Sequence, residues 1–166
     1  MKTQKLKTKT AKILRTHGPY IRVKTFTLVE VMPFVFTRAV RKKLREDGFK
    51  HDSIEWKKAS LKEFPVVRDG HHEEITISMG SDRYQLFAEK GVKCVCCGVE
   101  GVFFAIEKHW NTLHEKYHLN LYGFDKNGKE IMITKDHIKA VSKGGRNHIN
   151  NYQTICTKCN LKKGAS

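Results

Sequence analysis

Two Cys-x2-Cys pairs, Cys94-Val-Cys-Cys97 and Cys156-Thr-Lys-Cys159, constrain this chain more than any other feature, because 58 residues lie between them. Four thiolates arranged in two such pairs suit one tetrahedral zinc ion. A compact ribbon would separate the pairs by only about 15–20 residues. A shared metal therefore requires the intervening chain to fold into complete units and return. It has the means: Leu119–Phe124 and Lys129–Thr134 flank Asp125-Lys-Asn-Gly128, and Asn-Gly is a strong hairpin turn. The reading is a structural zinc site closed by Cys94, Cys97, Cys156 and Cys159, set against buried or incidental free thiols. Cys96 is left over, either as a packed thiol or as a competitor of Cys97. Cysteines used in this way argue for a reducing compartment, the cytoplasm, rather than for a disulfide scaffold.

The chain has 166 residues, 39% of them hydrophobic, enough to bury a core. Its 32 Lys and Arg against 17 Asp and Glu leave a net charge of +15. Such a field attracts phosphates before any specific contact forms, so the partner implied is a polyanion, with a basic but non-binding protein as the plain alternative. No run of about 18 apolar residues exists to span a membrane. Residues 1–24 carry eight basic and no acidic groups and lack the apolar stretch of a secretory signal. They read as a basic arm that either contacts phosphates or solubilises the chain.

Residues 25–90 read as an α+β region. Alternation from Tyr20 to Val31 indicates a strand, and Phe34–Leu44 a helix whose outer face bears Arg38, Arg41, Lys42, Lys43 and Arg45, ended by Gly48. Phe64–Val67 and Glu74–Ser78 form a hairpin around Asp69-Gly70, with a loop lengthened by His71 and His72. Ser81 caps a helix through Lys90, stopped by Gly91. The region serves DNA binding or targeting, or is a plain structural extension. Residues 91–166 form the remaining unit, in which Phe103–Lys116 is expected to be a helix carrying His109 and His114, each more plausibly packed or exposed than a ligand.

The tail concentrates reactive residues: Asp136-His137-Ile138, Ser142-Lys-Gly-Gly145, Asn147, Asn151-Tyr-Gln153 and Cys156-Thr-Lys-Cys-Asn160, followed by Lys163-Gly164. As a joint pattern this resembles the HNH endonuclease family, found in phages, mobile elements and restriction systems. The resemblance covers about residues 91–164. It implies a ββα-metal fold braced by the four-cysteine zinc site, with His137 as general base and Asp136 and Asn160 as ligands of one divalent cation. Asn151 would hold the loop and the base in place. The family's third letter is often His, so this chain would be an H-N-N variant resembling phage-borne enzymes.

The chemistry agrees with that pattern. Phosphodiester hydrolysis needs an activated water, charge neutralisation at the phosphate and stabilisation of the departing oxygen. Histidine exchanges a proton near neutral pH, and the hard oxygens of Asp136 and Asn160 suit Mg2+ or Mn2+. Neighbouring strand residues point to opposite faces, so Asp136 and His137 reach one site only where a strand ends or twists. On a helix, Cys159 and Asn160 differ by about 100°, which lets one face zinc and the other the reactive centre. Lys139, Lys143, Arg146, Lys162 and Lys163 surround the site and are expected to grip the DNA backbone; His148 either touches phosphate or is a solvated loop residue.

The leading expectation is a metal-dependent DNA endonuclease. One site per chain cuts one strand, and a double-strand break calls for a homodimer or two events. A non-catalytic zinc module that binds nucleic acid, and a junction resolvase with the same metal fold, are the alternatives.

Overall fold

The computed structural model describes residues 20–164 apart from residues 52, 69 and 110–115. The first nineteen residues of the expected arm and His114 therefore lie outside the described residues. Tyr20–Lys24, the end of that arm, are strand.

β1 (Tyr20–Thr27) is followed by a single turn, α1 (Leu28–Val31), where the sequence pattern suggested continued strand. The reason is local. Thr27 accepts from the Glu30 backbone N–H while the Glu30 carboxylate accepts from Thr27, a reciprocal cap that starts a helix. Pro33 lies in a short 3-10 turn, Met32–Phe34, and the expected helix begins later, at α2 (Arg38–Glu46), after the Thr37 cap. Val35 and Phe36 stay extended and buried, with the Phe36 N–H bonded to Met79 O. α3 (Ile54–Ser60) leads into β2 (Leu61–Arg68) and β3 (His71–Ser78). Their register pairs Arg68 with His71, so only residues 69 and 70 separate the strands, a tighter connection than expected. α4 (Asp82–Lys90) has its Ser81 cap and ends at Gly91, whose φ of 86° needs no Cβ.

The largest correction concerns Phe103–Lys116. Residues Gly101–His109 form a strand, β4, not a helix. β4 lies between β1 and β5 (Tyr117–Phe124), and Phe104 to Glu107 are buried without a break. A central strand covered on both faces reads as a continuous apolar run, which periodicity cannot tell from a buried helix. β6 (Glu130–His137), β7 (Tyr152–Cys156) and α5 (Thr157–Lys163) complete the chain. The five-stranded sheet has the order β1-β4-β5-β6-β7, antiparallel throughout, and β2-β3 is a separate ribbon.

The β5–β6 turn is built as its residues suggest: Asp125 Oδ1 accepts from the backbone of Asn127 at 2.9 Å and of Lys129 at 3.1 Å, and Gly128 has a φ of 73°. One hydrophobic cluster runs from Phe26, Trp56 and Phe64 through Phe87 and Phe104 to Ile133 and Ile155, so the boundary drawn after residue 90 crosses a shared core. Within the sheet, the fully buried Glu107 accepts from Arg22, Asn120 and Tyr122, and Arg22 continues to Glu130. This network ties four adjacent strands together, so that β6 and the residues at its end sit on a fixed support.

Candidate active site and metal centre

The thiols come together although 58 residues intervene. The Sγ atoms of Cys94, Cys97, Cys156 and Cys159 all lie within 4.8 Å of one another, and Cys97 and Cys156 approach to 3.7 Å. Sulfurs about 2.3 Å from a tetrahedral zinc sit roughly 3.8 Å apart, so the spacing suits such an ion. Two facts explain the convergence. β4, β5 and β6 form successive antiparallel neighbours and lead the chain to β7, and the first knuckle is bonded to that strand. Val95 N–H donates to Thr154 O, Thr154 Oγ1 to Gly91 O and Lys90 Nζ to Tyr152 O. Gly98, at a φ of 76°, turns the knuckle and donates to Cys94 O. Cys156 caps α5 by accepting from Cys159 N–H. Burial would raise the Cys94 thiol, yet backbone hydrogen bonds from Cys97, Cys156 and Cys96 bring it down to about 6. Burial, with the sulfurs of Cys156 and Cys97, pushes Cys159 up. Cys96 is exposed and stands apart from this cluster.

Asp136 and His137 occupy the last two positions of β6, opposite Gln153 and Tyr152 of β7. Their side chains meet different partners. Asp136 Oδ2 accepts from Gln153 Nε2 at 2.8 Å and Lys163 Nζ at 2.7 Å. Burial acts to raise this carboxyl, but the Lys163 and Gln153 hydrogen bonds and the lysine charge outweigh it, holding it below its usual value. His137 Nε2 lies 2.8 Å from Asn147 Oδ1, and the ring packs edge-on to Tyr152 at 5.0 Å. Tyr152 is held in turn by its hydroxyl on Asp82 and the Lys135 ammonium over its ring.

Asn151 closes the loop between β6 and β7. Its Oδ1 accepts from Lys139 N–H, its Nδ2 donates to the carbonyls of Lys139 and Arg146, and its own carbonyl accepts from Ile138 N–H. At Gly145 a Cβ would stand 1.9 Å from Lys139 O, so the loop can come this close only with glycine. A cleft of about 630 Å3 opens along this loop, lined by Lys139, Arg146, Asn147 and His148 among others. Lys139 and Arg146 line the cleft, Lys143 and Lys162 are exposed, and Lys163 is turned inward. His148 is exposed and caps the turn Ile149–Asn151 by accepting from Asn150 N–H.

Asn160 is half-buried on α5, and among the described residues its side chain has no hydrogen bond to Asp136 or His137. It precedes Lys163 by three positions, so the two share a helix face. Since Lys163 reaches Asp136, that face is turned to the end of β6. The donor set there, one carboxylate with the carbonyls of His137 and Ile138, already accommodates the Lys163 ammonium and is of the hard-oxygen type that a divalent cation takes. The sequence reading assigned no role to Gln153 or Asn147. Only the antiparallel register across from Asp136 would have singled out Gln153, and the loop's closure is what carries Asn147 to His137.

β6, β7 and α5 thus follow in succession, with an Asp-His pair at the end of β6 and four convergent cysteines that could hold a metal ion. Residues 125–166 match the family model of HNH endonucleases, and this segment carries an HNH endonuclease domain. The match over that segment points to nuclease activity in general. Comparison with curated proteins and with solved structures returned no match. Among the described residues no helix is long and apolar enough to cross a membrane.

Proposed function

We propose that the protein is a metal-dependent DNA endonuclease that nicks duplex DNA by hydrolysis, with β6, β7 and α5 as its ββα core and residues 91–166 as its nuclease unit. The observation that carries this reading is His137, held beside an open basic cleft with one ring nitrogen committed. Asn147 Oδ1 is an acceptor, so His137 Nε2 donates to it, and in the neutral ring Nδ1 keeps the lone pair. Nδ1 takes the proton of the attacking water. Tyr152 limits the ring's rotation from one side and Asn147 from the other.

Asp136 and Asn160 would hold Mg2+ or Mn2+, which supplies charge neutralisation at the scissile phosphate and at the departing oxygen. Gln153 orients the Asp136 carboxylate. Asn151 sets the path of the loop from Lys139 to Arg146, and Lys139, Lys143, Arg146 and Lys162 hold the DNA backbone without reading sequence. The four cysteines hold zinc and brace the start of α5, so the helix bearing Asn160 keeps its angle to β6. One such site cuts one strand; paired sites in a homodimer would cut both. Residues 25–90 add a basic surface for DNA.

Supercoiled-plasmid nicking with Mg2+, Mn2+ or EDTA tests the proposal. Metal-dependent conversion to open circles is expected from the wild type and should drop at least about a hundredfold in His137→Ala. Equal activity in the two proteins would remove His137 from the reaction. DNA binding without cleavage under every metal condition would favour the non-catalytic zinc module, and a preference for four-way junctions over linear duplex would favour a resolvase.

A further inference from the structure

Lys163 belongs, by sequence, with the cations expected to grip DNA, yet its ammonium faces the interior of the site. Nζ lies 2.7 Å from Asp136 Oδ2 and 3.4 Å from Ile138 O, and it also donates to His137 O. The side chain is 20% exposed, whereas neighbouring Lys162 is exposed. Three oxygens from consecutive residues at the end of β6 thus surround one positive charge. The carboxylate among them is the one assigned above to the divalent cation, and a lysine and a dication cannot share that oxygen without strong mutual repulsion.

Lys163 is the last residue of α5, and Gly164 ends the helix with a φ of 62°. Its four-carbon stem can carry the ammonium from Asp136 to solvent by rotamer changes alone, with the backbone in place. A DNA phosphate entering the cleft lined by Ile138, Lys139 and Arg146 offers it another anion.

We propose that Lys163 is a tethered counter-cation occupying the cation seat of Asp136 until a DNA phosphate draws it away, so that divalent-metal loading and DNA binding favour each other. The inference rests on the endonuclease reading and deepens it. Bare protein takes up Mg2+ or Mn2+ poorly because the seat is filled. Substrate empties the seat, and the lysine then holds the phosphate it has moved to. By linkage, DNA tightens metal binding by the same factor that metal tightens DNA binding. The device keeps the centre unloaded away from DNA.

The test measures Mn2+ affinity from the free-ion electron paramagnetic resonance signal, on the full zinc-loaded chain, with and without a short duplex. His137→Ala is present in every protein to keep the duplex intact. In this background Mn2+ affinity should rise roughly tenfold on adding duplex. Lys163→Met, which keeps the stem and drops the charge, should reach the tighter affinity with no duplex and respond to duplex less than about twofold. Lys163→Ala should behave alike, and zinc content with circular dichroism confirms that both variants are folded. Mn2+ binding in the lysine variants that is no tighter than in the parent, or weaker, overturns the proposal and leaves the endonuclease reading standing. Absence of Mn2+ binding in every protein removes the metal centre and the proposal together. The expected pattern without any nicking by the wild type would keep the switch and sink the endonuclease.

Discussion

Gln153 stands directly across the β6–β7 ladder from Asp136 and donates a 2.8 Å hydrogen bond from Nε2 to Asp136 Oδ2. A carboxylate proposed to hold a metal is thereby aimed by a residue on the neighbouring strand, and strand pairing sets its position. Groups that orient a ligand in this way usually contribute about tenfold to a hundredfold to metal affinity. Gln153→Ala should weaken Mn2+ binding by about that factor and lower nicking at limiting Mn2+, with recovery at high Mn2+. Isothermal titration together with plasmid nicking measures both, and an unchanged affinity would deny Gln153 this role.

Asn147 is expected to act on His137 and not on DNA. Asn147→Ala frees the ring and should lower kcat by about tenfold or more while KM changes little. Asn147→Asp places a negative charge beside Nε2, favouring the protonated ring, so the acid limb of the kcat profile should move to higher pH. A pH–rate series on the two variants decides the matter; coincident acid limbs for Asn147→Asp and wild type would contradict the assignment.

Zinc should be present at about one per chain and should be lost in Cys94→Ser or Cys156→Ser. Because β7 and α5 meet at Cys156, loss of the ion should also lower the melting temperature and abolish nicking with Mg2+. Elemental analysis paired with thermal denaturation gives the answer, and a stable, active protein without zinc would refute the brace.

Glu107 is fully buried with Arg22, Asn120 and Tyr122 on its carboxylate. Glu107→Ala leaves those donors without their acceptor and should destabilise the fold by about 3–5 kcal/mol, the usual cost of removing one partner from a buried ionic network. Urea unfolding reads this directly. A change under about 1 kcal/mol would mean that the sheet repacks around the gap.

Asp125 supplies a pH signature. Backbone hydrogen bonds from Asn127, then Lys129, hold its carboxyl below the usual aspartate value. Its stabilising effect is complete above the unfolded pKa of about 3.9 and is lost as pH falls through the lower folded value. The melting-temperature gap between wild type and Asp125→Ala should be widest near neutral pH and should close on acidification below that range. A gap that grows towards acid pH would reverse the sign.

The local elements were readable where capping and turn residues decide conformation on their own. Ser81 and Gly91 bound α4, and Asp125 to Gly128 turn β5 into β6, because each satisfies its neighbours' backbone groups within a few residues. The residues of the candidate site were legible as a pattern for the same reason: the Asp-His pair, the glycine-bent loop and the C-x2-C lie close together in the chain. β4 was not, because its buried run matches helix and strand alike, and only its neighbours β1 and β5 select between them. Nor did chain order reveal that β1 shares a sheet and a core with residues beyond 100.

What the sequence determined by itself was the inventory of the site: four cysteines, one acid, one imidazole, one loop that requires glycine, and an excess of positive charge. Which groups meet was decided by the tertiary structure alone. Antiparallel register brings Gln153 opposite Asp136, the loop closed by Asn151 carries Asn147 to His137, and the packing of α5 on β6 points Lys163 inward to Asp136 instead of outward to solvent. Side-chain type specifies chemistry. Contacts between residues distant in the chain depend on sheet order and burial, which are properties of the whole fold.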